Sequence, residues 1–428
     1  PGTVIPEEPT IGELRGVRLV GFDQGGAVVI DGASNLLLDN VTVGLDANNE
    51  PRSSLYGIRV TGDSGETGPV TLLSTDVFAS NILTGDSSNP LDGVGVQING
   101  SAQGVQIVDS TIGSVTGSNT VGVVVESDND NLTRPHSIGI NPIPTDYLIE
   151  LNTVANKATL AIPADMWSVI GEDLHLGQSV SATGIATGSE IIYINPATRE
   201  VVLSDRMTDS GLASVTFSSP GRTTITENFF GVDLRSGSSR MVNTTVSDNV
   251  VSGIRVGVDV NNGDVQQALW AQIGAGIALD DSGVPSSAVR STASNEIYGN
   301  GRYGIQFRSG ITGMTISNGV TTEITIQGNY IGTNTSAASG LQNGRFDYWW
   351  DANGAGSNEP PVDPLTSQVD PSFTDLITSA DPLGDTPAED NSGNISADVG
   401  GEDGVSGGGS GSGGTGGNDG IVTTPIRR

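Results

Sequence analysis

A chain of 428 residues is too long for one ordinary compact core, and 61 Gly beside only 4% aromatic residues favour a repeat of short strands and tight turns over packed conventional domains. A formal net charge of −31 argues against a nucleic-acid partner, because a phosphate backbone is held by clustered cations. The absence of Cys removes disulfides, thiolate catalysis and Cys-ligated metals, and no apolar run reaches the length of a membrane span.

Residues 1–13 are rich in Pro and acid and read as an extended lead-in; the start at Pro1 reads as a piece of something longer. From 14 onward two phrases alternate. One is an apolar–polar strand, a polar corner and a second apolar run closing at Gly: NLLLDNVTVG at 35–44, GVQIVDSTIG at 104–113, TTITENFFG at 223–231 and EITIQGNYIG at 323–332. The other is Gly followed by alternating apolar residues: GIRV at 57–60, GVGVQI at 93–98, GVVV at 122–125, GIRV at 253–256 and GIQF at 304–307. Short runs of this kind predict half-buried strands, and their recurrence predicts a solenoid with apolar residues inside and polar alternates outside. Around 303–333 the same logic predicts three strands, at 304–307, 314–316 and 324–326.

The GIRV, GIQF and GNYIGT phrases with their Asn-containing corners resemble the right-handed parallel β-helix repeat proteins, the pectate-lyase-like superfold that includes phage fibres and spikes and bacterial surface proteins. The likeness covers roughly 14–125 and 223–333. It implies an all-β, right-handed parallel β-helix, and it is unspecific for function because that fold carries lyases, hydrolases, epimerases, tailspikes and adhesins.

The repeat is expected to break over 129–220. There a proline-broken stretch and the strand-like runs 177–194, 201–204 and 214–217 predict a small inserted antiparallel β module. The division that follows is a lead-in 1–13, β-helix 14–128, inserted module 129–220, β-helix 221–345, and 346–428 as an aromatic cap segment with a flexible acidic Gly/Pro-rich tail. Phe346, Tyr348, Trp349 and Trp350 form the densest aromatic cluster, suited to capping an open solenoid end, to a subunit contact or to stacking on sugar rings.

Chemistry is sparse. Asp280 and Asp281 are the one adjacent acidic pair in the repeats, as a hydrolase would need, but Ser-Gly-Val-Pro follows and the turn reading outweighs the catalytic one. His136 and His175 are expected outside the repeats, without catalytic context. A lyase or epimerase would need cations beside carboxylates, and Arg255, Arg302 and Arg308 are the candidates. Arg59 and Arg255 share the middle of GIRV and are expected to face outward on one sheet, where they would bind anionic glycans or simply keep a strand soluble. Asp259 and Asp264 in one loop, and Asp128 and Asp130 in another, gather oxygen ligands suited to Ca²⁺, although neither loop has a known calcium spacing and Asx-rich turns explain them as well. Lys157, the only Lys, reads as surface.

The leading expectation is a non-enzymatic structural or recognition module of an extracellular appendage, on a virion or a cell surface. It would assemble as a homo-oligomer or polymer and bind a cell-surface glycan, with no nucleic acid and no membrane span. The alternative is a lyase, hydrolase or epimerase acting on anionic glycans.

Overall fold

The computed structural model describes residues 12–22, 26–50, 56–65, 67–78, 93–113, 121–128, 134–143, 149–257, 269–274, 294–307, 314–317, 320–327, 329–332, 334, 341–344, 346–350, 355–357, 373–374 and 377–378. The chain divides into two units, Pro1–Asp381 and Pro382–Arg428, and every described residue belongs to the first.

This unit is nearly all β, and its strands pair mostly in parallel. The first sheet runs through Gly12–Arg15, Leu36–Asp39, Val70–Leu73, Val105–Val108, His136–Ile138, the latter half of Phe230–Met241, Leu269–Ile273, Val320–Gln327 and Phe373–Thr374. The second joins Arg18–Leu19, Thr42–Val43, Asp76–Val77, Thr111–Gly113, Thr223–Thr226, Thr244–Ser247, Glu296–Tyr298, Tyr330–Ile331 and Ile377–Thr378. The third joins Gly26–Asp31, Tyr56–Thr61, Val94–Gly100, Val121–Ser127, the first half of Phe230–Met241, Ser252–Val256, Tyr303–Phe307 and Phe346–Trp350. The chain visits the three sheets in the same order each time, so a strand pairs with the one that follows a full circuit later.

Register makes the core. On the third sheet Ile58, Val96, Val123, Val232, Ile254 and Ile305 are partners in sequence, and so are Val60, Ile98, Val125, Leu234, Val256 and Phe307; none exceeds 1% exposure. Each column is a continuous β-branched or apolar stack, which is why a period-two pattern suffices to place these residues inside. Between the first and second sheets the backbone turns through the left-handed region at Asn40, Ser74, Asp109 and Asn243 (φ 52°, 46°, 48° and 47°), a conformation that short polar side chains tolerate best.

The corner between the second and third sheets carries a buried asparagine ladder. Asn228 donates through N and Nδ2 to Asn249 Oδ1 (3.1 and 3.2 Å), Asn249 likewise to Asn300 Oδ1 (3.3 and 2.9 Å), and Asn300 to Asn343 Oδ1 (3.2 and 2.9 Å). Each amide thereby satisfies the turn above it in an interior that water does not reach.

A column of glycines follows the third sheet, Gly57, Gly95, Gly122, Gly231, Gly253 and Gly304, and Gly122, Gly231 and Gly253 pack against Asn228, Asn249 and Asn300 of the ladder. A Cβ on Gly231 would lie 2.4 Å from Gly253 O, 2.8 Å from Val246 Cγ1 and 2.9 Å from Asn249 Nδ2, and Gly57, Gly95, Gly122 and Gly253 are equally confined. Close approach between sheets, not turning, requires glycine here.

Three expectations are corrected. His136 is not outside the repeats: His136–Ile138 pairs in parallel with both Val105–Val108 and Phe230–Met241, so the interruption starts after this strand. The stacking does not end at 345, where the cap segment and tail were expected to begin, because Phe346–Trp350, Phe373–Thr374 and Ile377–Thr378 extend the third, first and second sheets. The run at 314–316 is not a coil strand of its own; Met314–Ser317 pairs antiparallel with Val320–Gln327 as a hairpin arm.

Between His136–Ile138 and Thr223–Thr226 lie two three-stranded antiparallel sheets, Ile149–Thr153 with Gly211–Phe217 and Val180–Ser181, and Thr159–Ala161 with Glu200–Leu203 and Ile191–Asn195. They carry a helix at Ala164–Ile170 that the strand-like phrasing did not predict, followed by a 3-10 turn at Gly171–Asp173. Their hydrophobic core takes in Leu37 of the first sheet and packs against Leu73. The outer face of the first sheet is therefore a docking platform. Arg240 of that sheet pairs with Glu172 at 2.8 Å and with Asp173, Gln106 Nε2 donates to Leu174 O at 3.0 Å, and Arg15 reaches Glu190 at 2.8 Å.

Candidate functional site

The third sheet brings the sequence-derived arginines into one row. Val29, Arg59, Gln97, Val124, Asp233, Arg255 and Gln306 are successive register partners. Arg59 and Arg255 are four strand steps apart, roughly 19 Å at ~4.8 Å each. Their expected outward, solvated setting holds only at the start of the row. Val29 is 54% exposed, whereas Gln97, Val124 and Asp233 are at most 2% exposed and Arg255 8%.

Arg255 is therefore built into the structure. Its Nη2 donates to Asp233 Oδ2 at 2.7 Å and its guanidinium lies over the Phe230 ring, 4.1 Å from the centroid. Arg235 Nε meets the same carboxylate oxygen at 2.8 Å, and its Nη1 reaches Glu126 at 3.2 Å. Burial disfavours the Arg235 charge, but the Asp233 and Glu126 carboxylates outweigh it and hold its pKa above the usual value. Beneath the cluster, Val94, Val121, Val124, Phe230 and Val251 form a small apolar patch of their own. Arg59 remains half-buried and pairs with Asp63 at 3.1 Å.

Arg302 is half-buried just ahead of Tyr303–Phe307 and makes no ion pair with a described residue. Arg308, Asp280, Asp281, Asp259, Asp264 and Asp130 lie outside the described residues, and so do the side chains of Trp349 and Trp350; the backbone places Trp349 in register with Gln306. Asp128 is exposed at the end of Val121–Ser127. Among the described residues no group of three or more His, Cys, Asp or Glu is arranged to hold a metal. Among the described residues no helix is long and apolar enough to cross a membrane.

Both histidines are sealed. His136 points into the first sheet's interior row beside Ser239; its Nδ1 accepts from Val105 N at 3.3 Å and its Nε2 has no partner. Burial pushes its pKa down to about 3, and pushes His175 down to about 4 against the opposing pull of the Asp173 carbonyl. Neither can serve as a base near neutrality, because neither imidazole reaches solvent or a reacting group. The linkage has a definite sign. In the unfolded chain both titrate near 6.5 and take up protons that the folded chain refuses, so stability falls as pH drops from 6.5 towards 4. The expected slope is about 1.4 kcal/mol per pH unit for each histidine. The carboxyls of Asp39 and Asp76, raised chiefly by burial, act in the opposite direction, because the folded chain takes up their protons before the unfolded chain does as pH falls. Thermal melts at pH 7, 6 and 5 check it: Tm should drop steadily, and H175Q should flatten the drop. An unchanged Tm across that range would contradict the sealed, neutral histidines.

A second arrangement was not visible in the sequence. Where the antiparallel sheets meet the first sheet, a cleft of about 100 Å³ opens between two walls. Pro69, Gln103, Gln106, Pro135 and Ser137 line one side, and Trp167, Glu172, Leu174, Ile194 and Pro196 the other. Trp167 stands in the only α-helix among the described residues, and a Cβ on Gly171 would come within 2.7 Å of its indole, so Gly171 is what lets the ring lie across the helix end. No motif marks these residues, because they come together only when the insertion folds back on the sheet. The Asn ladder did leave a trace: Asn228, Asn249 and Asn300 each stand two residues after a short strand, Thr223–Thr226, Thr244–Ser247 and Glu296–Tyr298.

No family model matches the chain, and no curated protein is significantly similar to it.

Proposed function

We propose that the chain is a right-handed parallel β-helix serving as a non-enzymatic structural and recognition module of an extracellular appendage, a phage fibre or spike or a bacterial surface filament. The observation that carries this reading is the use made of the interior and of the charged row. The parallel registers continue from strand to strand with one shift, between Val125 and Glu126, amide ladders and glycine columns fill the corner, and Arg255, the best-placed catalytic candidate, is committed to Asp233 and Phe230. Such a body is stiff along its stacking axis and grows by repetition, which suits a spacer or shaft that presents attached surfaces. A charge of −31 keeps copies soluble until specific contacts align them.

Light scattering with negative-stain imaging tests this reading. Defined oligomers or filaments are expected, together with no release of unsaturated or reducing ends from pectate, alginate or hyaluronan. A strict monomer that cleaves any of these polymers would overturn it in favour of a lyase or hydrolase.

A further inference from the structure

We propose that the cleft between the antiparallel insertion and the first sheet is a binding site for a single ring of a neutral saccharide. Three features of the cleft select that class. Trp167, Pro69, Pro135, Ile194 and Pro196 supply apolar faces, and an indole against flat prolines suits the C–H face of a pyranose. Polar groups stand among them with hydrogen bonds still to make. Neither the Trp167 Nε1 donor, the Gln103 side-chain amide nor the Ser137 hydroxyl bonds to another of the described residues, whereas the neighbouring Gln106 amide is already used, accepting from Thr71 at 3.2 Å and donating to Leu174 O at 3.0 Å. A ring of hydroxyls can answer such separated donors and acceptors; a hydrocarbon cannot.

Charge and size narrow the class. The charged residues of the lining are one of each sign, Arg134 and Glu172, and Glu172 is already paired with Arg240, so the cleft presents no surplus cation to a uronic or sulfated sugar, and the net charge of −31 disfavours an anion further. A volume of about 100 Å³ for water centres holds on the order of seven to ten waters, enough for one sugar ring and too little for an extended chain.

The walls are also held rigidly, as a built site requires. Arg240 with Glu172 and Asp173, the Gln106–Leu174 bond, and the packing of Leu37 and Leu73 into the insertion's core lock the two sides at a fixed distance. Binding here does not depend on assembly, so it stands or falls separately from the appendage reading.

The test titrates the folded chain with glucose, galactose, mannose and N-acetylglucosamine, with glucuronate as the charged counterpart, by calorimetry and tryptophan fluorescence. At least one neutral sugar should give a saturable response with a Kd of about 1 mM or weaker, as one ring on one indole allows, and glucuronate should bind less well. W167A should abolish the response, Q103A should weaken it several-fold, and W270F should leave it intact. Circular dichroism and a melt establish that each variant is folded; should W167A fail to fold, Q103A with W167F carries the decision. No saturable response to any neutral sugar, a response undiminished in both cleft variants, or preferential binding of glucuronate would overturn the proposal.

Discussion

Gly231→Val should destabilise the protein by about 3 kcal/mol or more, enough to prevent folding at 37 °C if the starting stability is ordinary. The new Cβ would be placed 2.4 Å from the carbonyl oxygen of Gly253, and a backbone oxygen in a paired strand cannot rotate away. The valine methyls would add contacts with Val246 and displace Asn249 from the ladder, leaving Asn228 and Asn300 with unmet donors and acceptors. Gly188→Ala separates this effect from mere backbone preference. Gly188 has φ 86° with nothing within 4 Å of its would-be Cβ, so its substitution should cost only about 1 kcal/mol of left-handed strain. Urea denaturation of both variants reads the difference, and equal losses would mean that close approach is not what the glycine column provides.

Asp233→Ala is expected to cost about 3–5 kcal/mol, the range for removing one partner of a buried ionic cluster. The carboxylate is fully buried and accepts from both Arg235 and Arg255, so its loss takes one shared anion from two guanidinium groups in a poorly hydrated place. Arg235 keeps Glu126, which is 42% exposed and screened; Arg255 keeps the Phe230 ring. Adding R255M to D233A should recover part of the loss, because methionine fills the space over Phe230 without a charge. A double-mutant cycle by chemical denaturation checks the coupling, and strictly additive losses would show that the two residues do not act as a pair.

These expectations rest on different kinds of legibility. The inward columns such as Ile58–Val96–Val123–Val232 were readable because an alternating residue has only two faces, and the repeat decides which one is shared. The glycines of this column were visible as recurrent letters, but their reason was not, since nothing local separates a glycine needed for turning from one needed for close packing. His136 was misplaced because its strand is only three residues long and stands beside a proline; two neighbours in register, far away in the chain, make it a strand. Arg59 and Arg255 were expected to face outward on one sheet; they do share a row of the third sheet, where Arg59 is half-buried and Arg255 is buried at 8% exposure.

By itself the sequence determined the all-β character, the alternation of inside and outside, the repeating corners and the absence of thiol chemistry, because each depends on the nearest neighbours along the chain or on composition. Tertiary structure alone decided that the first sheet's outer face is covered, that Asp233 draws Arg235 and Arg255 out of solvent, and that Trp167 comes to face Gln103 and Ser137 across a cleft. Those residues are separated by long stretches of chain, and their proximity follows from how an insertion folds back and how coils stack, which local pattern does not encode.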